Sequence, residues 1–225
     1  MDIYYLILVV PAILLSLYAQ ILVKSTFAKY FRIKSARNIS GRETAALLMR
    51  ANRIQQVAIQ RVRGSLTDHY DPGAKVLRLS DPVYGDTSIA AIGVAAHETG
   101  HAIQHAVSYG PLALRSTLVP VANIGSSVGP WLAIGGFFFS IPILIHLGII
   151  LFGASVLFYL VTLPVEFNAS ARAVEILRSN YVLSESELEG VKKVLTAAAL
   201  TYVAAALTAL MSFLRLILIA RDRER

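Results

Sequence analysis

The stretch that decides the fold is STLVPVANIGSSVGPWLAIGGFFFSIPILIHLGIILFGASVLFYLVTLPV, residues 116–165. It contains no Asp, Glu, Lys or Arg, and its only strongly polar ionisable side chain is His146. A helix crosses a bilayer with about 20 apolar residues, so this stretch predicts two spanning helices with a turn near Ser140-Ile141-Pro142. A hydrophobic content of 56% and a mean hydropathy of +0.61 likewise indicate a membrane protein.

Two further apolar stretches flank this tract, at residues 3–23 and at about 195–220. The first has no basic region before it and no cleavage motif after it, which predicts a membrane anchor rather than a signal peptide. The sequence therefore predicts a mainly α membrane protein with about four transmembrane helices.

Basic residues predict the orientation in the membrane. Residues 24–63 contain ten Lys and Arg and one acid, Glu43, whereas only Asp2 precedes the first span. Because basic flanks stay in the cytoplasm, we expect the N-terminus outside, in a multi-pass protein of the cytoplasmic membrane. These flanks also explain the net charge of +7, so no nucleic-acid partner is predicted. The predicted segments are an anchor (1–23), a cytoplasmic segment (24–115), a transmembrane hairpin (116–163), a second cytoplasmic segment (164–194), and a last transmembrane helix with its tail (195–225).

The first cytoplasmic segment carries three local patterns. Ser40 and Glu43 have capping-box spacing, which predicts a helix from Gly41 to about Val62. The stretch LTDHYDPGAKVLRLS, residues 66–80, predicts a β-hairpin turning at Asp-Pro-Gly. No Pro interrupts residues 88–109, so a helix of about six turns should follow.

That last helix contains AAHETGHAIQH, residues 95–105. His97 and His101 lie one turn apart on the same face, so both imidazoles can bind one metal ion. Glu98 is rotated by about 100° from His97, which suits a base that takes a proton from bound water. This is the spacing of zinc peptidases. Gly100 costs about 1 kcal/mol relative to Ala in a helix, which predicts close packing at that position.

A third metal ligand must come from elsewhere in the chain. Glu166 directly follows the hairpin, and two crossings return it to the side of the membrane that holds His101. Glu175 lies in the same segment and remains a rival. The acids Glu185, Glu187 and Glu189 instead indicate an exposed helix start after Ser184.

Other polar residues are candidates for roles around the metal. His105 lies about 12 Å along the helix from His97 and cannot share its ion, but it can contact the site or a substrate. Ser170 shares the helical face of Glu166, whereas Asn168 points away and is expected to be structural. Arg172 can contact a substrate or pair with Glu175. His105, Arg172 and Tyr202 are the candidates for stabilising an oxyanion.

Five motifs follow one another along the chain: SGRETAALL, LTDHYDP, LRLSDPVYGDTSIAAIGVAAHETGHAIQH, LPVEFNASARA and LTYVAAA. In this order they resemble the YugP-type family of membrane zinc metallopeptidases, neutral zinc metallopeptidase type 2, over nearly the whole chain. The resemblance implies Zn²⁺ bound by His97, His101 and Glu166, with Glu98 as catalytic base. It also implies a zincin-like (gluzincin) core with an edge strand beside the active-site helix.

The chain also resembles, more distantly, the HtpX-type membrane proteases. In those an Asp lies four residues after the ligand Glu, and Ser170 takes that place here. The family motif DHYDP makes His69 or Tyr70 a candidate neighbour of the active site.

These observations predict a zinc metalloendopeptidase that cleaves membrane-associated protein or peptide substrates at the cytoplasmic face of the lipid bilayer. One alternative is proteolysis within the membrane, because the histidine helix is apolar and Asn123, Ser126 and Ser127 could line a polar groove. The other is a membrane scaffold or adaptor that binds zinc without catalysis.

Overall fold

The computed structural model describes residues 2–223. Met1 of the predicted anchor and Glu224-Arg225 of the predicted tail lie outside the described residues. In the described part a π-helical turn, Tyr5–Val9, precedes seven α-helices and a small sheet. The helices are α1 (Val10–Phe31), α2 (Gly41–Ala51), α3 (Asp81–Tyr84), α4 (Ile89–Ala106), α5 (Gly110–Phe139), α6 (Pro142–Ser179) and α7 (Glu185–Arg223); the strands are β1 (Ala58–Val62), β2 (His69–Asp71) and β3 (Val76–Ser80).

Within residues 2–223, four helices are long and apolar enough to cross a membrane, as predicted. They are Tyr5–Phe31, Gly110–Phe139, Pro142–Ser179 and Glu185–Asp222. The predicted turn is confirmed, because α5 ends at Phe139 and α6 begins at Pro142. Ser140 adopts a left-handed conformation between them, with φ 56°. The helices extend beyond the predicted spans. In α6, for example, no helix-breaking residue follows Pro164 before the helix ends at Ser179.

The chain forms two compact units. The first comprises Met1–Gln20, Pro111–Pro164 and Leu200–Arg225, and the second Ile21–Gly110 and Val165–Ala199. Polar contacts inside the first unit include the ion pair of Arg215 with Asp2, at 2.7 Å, and the hydrogen bond that Ser155 donates to the Ala122 carbonyl, at 2.9 Å.

The second unit contains a larger hydrophobic core. Its largest fully buried side chains include Leu48 of α2, Leu77 of β3, Ile92 of α4, Leu177 of α6 and Leu188 of α7. Burying a side chain of this size stabilises the fold by about 1.5–3 kcal/mol. One core therefore joins α4 to the parts of α6 and α7 that belong to this unit.

The sheet has the strand order β1-β3-β2, with β1 parallel to β3 and β2 antiparallel to it. The pairing of β2 with β3 confirms the predicted hairpin. β2, the first strand of this hairpin, begins at His69 rather than at Leu66. Leu66 adopts a left-handed conformation, with φ 59°, that ends the extended pairing.

The predicted helix from Gly41 to Val62 is wrong beyond Ala51. Its start is confirmed, since Ser40 and Glu43 form the capping box. It ends in a Schellman motif: the Ile54 N–H donates to the Met49 carbonyl at 2.9 Å, and the Arg53 N–H to the Arg50 carbonyl at 3.0 Å. Arg53 occupies the left-handed position with φ 58°, where glycine is usual. Residues 58–62 are then free to form β1.

The histidine helix, α4, follows its prediction more closely. The Ser88 hydroxyl accepts a hydrogen bond from the Ala91 N–H at 3.2 Å and caps the helix start. The helix ends at Ala106, three residues before the predicted Tyr109. Ser108 is left-handed, φ 52°, and the Tyr109 N–H turns back to the Gln104 carbonyl at 2.9 Å.

Candidate metal centre

Two imidazoles lie on one face of α4. The ring centroids of His97 and His101 are 4.8 Å apart, with the rings nearly perpendicular at 85°. This is the placement that residues i and i+4 of a helix produce. Both rings present Nε2 in the same direction, towards α6.

The carboxylate of Glu166 on α6 meets both rings. Its Oε2 lies 3.2 Å from Nε2 of His97 and 3.5 Å from Nε2 of His101. Glu166 is 1% exposed, so this carboxylate has been removed from water. Possible ligand atoms of the three residues all lie within 4.8 Å of one another. The rival Glu175 is outside this group and contacts Arg178 at 3.7 Å.

The remaining nitrogen of each imidazole has its own partner. Nδ1 of His101 lies 2.9 Å from Oε1 of Gln104, and Nδ1 of His97 lies 3.2 Å from the Ser170 hydroxyl. Ser170 was predicted to lie near the site. These contacts fix each ring so that Nε2 points at Glu166.

Gln104 is fully buried and joins α4 to α6. Its Nε2 donates to the Val165 carbonyl at 2.8 Å and to Oδ1 of Asn168 at 2.9 Å. With both donors used in this way, Oε1 is left to accept from His101. Asn168 also accepts from Nε of Arg172 at 2.8 Å. A chain of polar contacts thus links Arg172 to the imidazole of His101.

Close backbone packing brings the two helices together. A Cβ on Gly100 would lie 2.7 Å from the carbonyl oxygen of Ala169, closer than real Cβ atoms approach. Gly100 lies between His97 and His101 in sequence, and Ala169 lies three residues after Glu166. The close packing predicted at Gly100 is confirmed, and it is what allows Glu166 to reach both imidazoles.

The surroundings of His101 favour positive charge. Burial lowers the pKa of its imidazole, but the hydrogen bond to Glu166 and the negative charges of Glu98 and Glu166 outweigh burial and raise this pKa above its ordinary value. An environment that stabilises a proton on a buried ring also stabilises a bound cation.

Glu98 lies beside these ligands on α4 and is 8% exposed. The negative charge of Glu98 also acts on a second acid, Asp68. Burial raises the pKa of Asp68, hydrogen bonds from Ser80 oppose that rise, and the charge of Glu98 adds to it. Both oxygens of Asp68 accept from Ser80, at 2.7 Å from its N–H and 2.8 Å from its hydroxyl. Asp68, the residue before β2, is therefore held against Ser80 at the end of β3.

The other histidine candidates have local partners. Nδ1 of His105 lies 2.7 Å from the hydroxyl of Tyr70, which joins α4 to β2. His69 is exposed on β2, with Nδ1 at 2.9 Å from the Thr67 carbonyl and Nε2 at 3.2 Å from Nη1 of Arg78. Neither histidine belongs to the group formed by His97, His101 and Glu166.

The sequence left Arg172 with two alternatives, a substrate contact or a pair with Glu175. The pair is not formed, because Arg172 donates to Asn168, one turn earlier, and Glu175 contacts Arg178 instead. Asn168 was expected to be structural, and Gln104 connects it to His101, a link that the sequence analysis did not predict. The remaining candidate, Tyr202, lies on α7 in the first unit.

Sequence reasoning missed Gln104 and Asp68. Gln104 follows His101 by three residues, so helical spacing alone places it beside that ring. Asp68 had no such signal, because its position depends on the pairing of β2 with β3.

Comparison with known proteins identifies the family of this chain. The model of the family described as "Putative neutral zinc metallopeptidase" matches residues 5–221. The "Putative membrane protease YugP" of Bacillus subtilis (strain 168) is 51% identical over 215 residues, which cover 96% of this chain and 96% of that protein. No solved structure gives a significant match. The chain is therefore a membrane protein that belongs to the neutral zinc metallopeptidase family.

Proposed function

We propose that this protein is a zinc-dependent endopeptidase with a gluzincin-like site, made of His97, His101 and Glu166 as metal ligands and Glu98 as general base. The single observation that carries the proposal is the convergence of two imidazole Nε2 atoms on one buried carboxylate oxygen, at 3.2 and 3.5 Å.

The donor spacing fits a zinc ion. Ligands held at about 2.0–2.1 Å in tetrahedral geometry lie roughly 3.3–3.4 Å from one another. The two distances to Glu166 bracket that value. Two imidazoles and one carboxylate are also the donor set of catalytic zinc sites such as those of thermolysin-type enzymes, which leave the fourth position for water or substrate.

The supporting contacts fit the same role. A zinc-bound histidine normally donates its second N–H to an oxygen, which fixes the tautomer and the orientation of the ring. Gln104 and Ser170 provide these oxygens for His101 and His97. Bound zinc supplies Lewis acidity, which lowers the pKa of a coordinated water and polarises the scissile carbonyl.

In this proposal Glu98 moves the proton. Its carboxylate accepts a proton from the attacking water and then donates it to the leaving amine. Glu98 is adjacent to His97 in sequence but rotated by about 100° around the helix, so it would lie beside the open position rather than bind the ion. Its near-complete burial strengthens its electrostatic interaction with that water.

The edge strand β2 is proposed to hold the substrate. It is the last strand in the order β1-β3-β2, and it contacts α4, which carries the histidines. An edge strand can pair with an extended peptide through its free backbone groups. The Tyr70 hydroxyl and His105 then lie where β2 meets α4, and they are our leading candidates for contacting the scissile carbonyl.

We further propose that the site faces the cytoplasm and acts on membrane-associated proteins. The support is the excess of Lys and Arg in residues 24–63, which the positive-inside rule assigns to the cytoplasm. Single cysteines at exposed Gln60 and Tyr181, in this cysteine-free chain, test the orientation. A membrane-impermeant maleimide should label neither of them in intact cells and both of them after lysis.

The activity test distinguishes the proposed general base, Glu98, from a proposed metal ligand, Glu166, by measuring both zinc content and cleavage. The protein is purified in detergent, zinc is counted by mass spectrometry, and cleavage of unstructured β-casein is measured. Glu98→Gln should keep one zinc and lose cleavage by at least 1,000-fold, on the order of what one base contributes. Glu166→Gln should lose both zinc and cleavage.

Glu175→Gln is the matched control, because it removes an exposed carboxylate from the same helix. It should change neither zinc content nor cleavage. Full cleavage by Glu98→Gln would exclude Glu98 as the base. Zinc without cleavage of any protein would favour the scaffold alternative, and cleavage sites confined to the spans of substrates would favour intramembrane proteolysis.

A further inference from the structure

A groove of about 350 Å³ lies between α1 and α7 within the second unit. Its walls include Leu22 and Ala197, the threonines Thr26 and Thr196, and the lysines Lys29 and Lys193. Both helices belong to the candidate membrane spans, and the groove lies near the end of the first, Tyr5–Phe31, and near the start of the last, Glu185–Asp222. It takes no part in the proposed metal centre.

Polarity changes along the groove. The two helices run antiparallel here, since Tyr30 packs against Gly190 while Ala36, further along the chain, donates its N–H to Glu187 at 2.7 Å. Leu22 and Ala197 therefore lie at one end, and Lys29 and Lys193 at the other. Lys29 is about 10 Å along the helix axis from Leu22. The groove thus has an apolar end and a cationic end.

The cationic end has an excess of positive charge. Lys192 also lines it and pairs with Glu189. Lys29 lies over the ring of Tyr30, with Nζ 5.6 Å from the centroid. Among the residues that the structure describes, neither Lys29 nor Lys193 has a carboxylate within ion-pair distance, although the charge of Glu189, the partner of Lys192, also acts on Lys193. Two ammonium groups on facing helices are therefore available to one anion.

Tight packing gives the groove a defined wall. A Cβ on Gly190 would lie 2.9 Å from the ring of Tyr30 and 3.0 Å from Cγ2 of Ile89. Only glycine at this position lets α7 approach Tyr30 so closely. The lysines are consequently held by a packed helix pair rather than by two independently moving helices.

We propose that this groove binds one anionic phospholipid. Lys29 and Lys193 hold the phosphate, Thr26 and Thr196 offer hydroxyl donors, and an acyl chain lies along Leu22 and Ala197. A free phosphate would leave the apolar end exposed. A zwitterionic lipid would bring the positive charge of its own headgroup close to the two lysines. Basic pockets between transmembrane helices bind anionic headgroups in this way.

The test uses the full-length protein in a neutral detergent and native mass spectrometry. Phosphatidylglycerol is titrated, with phosphatidylcholine and inorganic phosphate as comparison probes. We expect one phosphatidylglycerol to bind with preference over phosphatidylcholine and to resist competition by phosphate. The double variant Lys29→Gln/Lys193→Gln should bind about 25-fold more weakly, at about fivefold for each lysine.

Two further variants keep the test specific. Lys24→Gln/Lys75→Gln removes two exposed lysines outside the groove and should bind like the unaltered protein. Thr196→Trp fills the groove without changing charge and should also weaken lipid binding. Equal binding by the lysine double variant and its control would overturn the proposal. So would equal binding of phosphatidylcholine, or displacement of the lipid by phosphate.

Discussion

Gln104 holds His101 in place by accepting a hydrogen bond from its Nδ1 at 2.9 Å. We predict that Gln104→Ala lowers zinc affinity about 10–100-fold, as loss of such supporting contacts does in other zinc sites. Chelator competition on the purified protein measures this affinity. Gln60→Ala, on the exposed side of β1, should leave it unchanged. A folded Gln104→Ala protein with normal zinc affinity would show that the contact does not position the ligand.

Gly100 should not tolerate even one methyl group. Alanine gains about 1 kcal/mol of helix propensity. However, its Cβ would be forced to within 2.7 Å of the Ala169 carbonyl oxygen, and overpacking typically costs about 1–3 kcal/mol. We expect Gly100→Ala to lower the melting temperature and the zinc content together. Gly135→Ala, where no atom lies within 4 Å of the added Cβ, should lower neither.

Asp86 should make stability depend on pH. Burial raises its pKa, but hydrogen bonds from Lys34 and Ser88 outweigh burial and lower it below the ordinary value of 3.8. The pKa of Asp86 is lower in the folded state than in the unfolded state. Its contribution to the free energy of unfolding is therefore complete above about pH 4 and is lost as pH falls through the folded-state pKa.

Comparing Asp86→Asn with the unaltered protein isolates this contribution. At pH 7 the variant should melt about 2–4 °C lower, for a loss of up to about 1 kcal/mol. At pH 3 the difference should shrink, since the carboxylate is then largely protonated in the unfolded state, where its pKa is the ordinary one. A difference that stays constant from pH 7 to pH 3 would contradict a role for its charge.

Substituting glycine for Arg53 and for Arg50 should change the stability of the protein in opposite directions. Arg53 is left-handed at the end of α2, so Arg53→Gly should stabilise the protein by about 0.5–1 kcal/mol. Arg50 lies inside the last turn of α2, so Arg50→Gly should destabilise by about the same amount. Both substitutions remove one exposed guanidinium, so thermal melts of the pair compare backbone effects at equal charge.

Arg53 also explains why one strand could not be predicted. The apolar stripe of α2 continues through Ile54 and Ala58, and a sequence without glycine or proline there gives no stop signal. What ends the helix is a Schellman motif closed by an arginine, and what forms β1 is parallel pairing with β3. Parallel pairing depends on distant residues, which local propensity does not contain.

The candidate ligands were predictable because each depended on a single geometric rule. Helical spacing was enough to put His97 and His101 on one face, and counting membrane crossings was enough to select the segment of Glu166. The choice between Glu166 and Glu175 needed the docking of α6 on α4 at Gly100 and Ala169. The link between Asn168 and His101 was not predicted, because rotation around its own helix ignores a partner such as Gln104 that reaches across from another helix.

The ligands are also far apart in the order of synthesis. His97 and His101 leave the ribosome well before Glu166, because the whole apolar hairpin lies between them in the sequence. A nascent chain that has exposed its histidines consequently lacks the buried carboxylate, the Gln104 bridge to α6 and the packing of Gly100. The candidate metal centre is therefore completed only after the apolar hairpin has been synthesised, and a product truncated before Glu166 lacks one of its three groups.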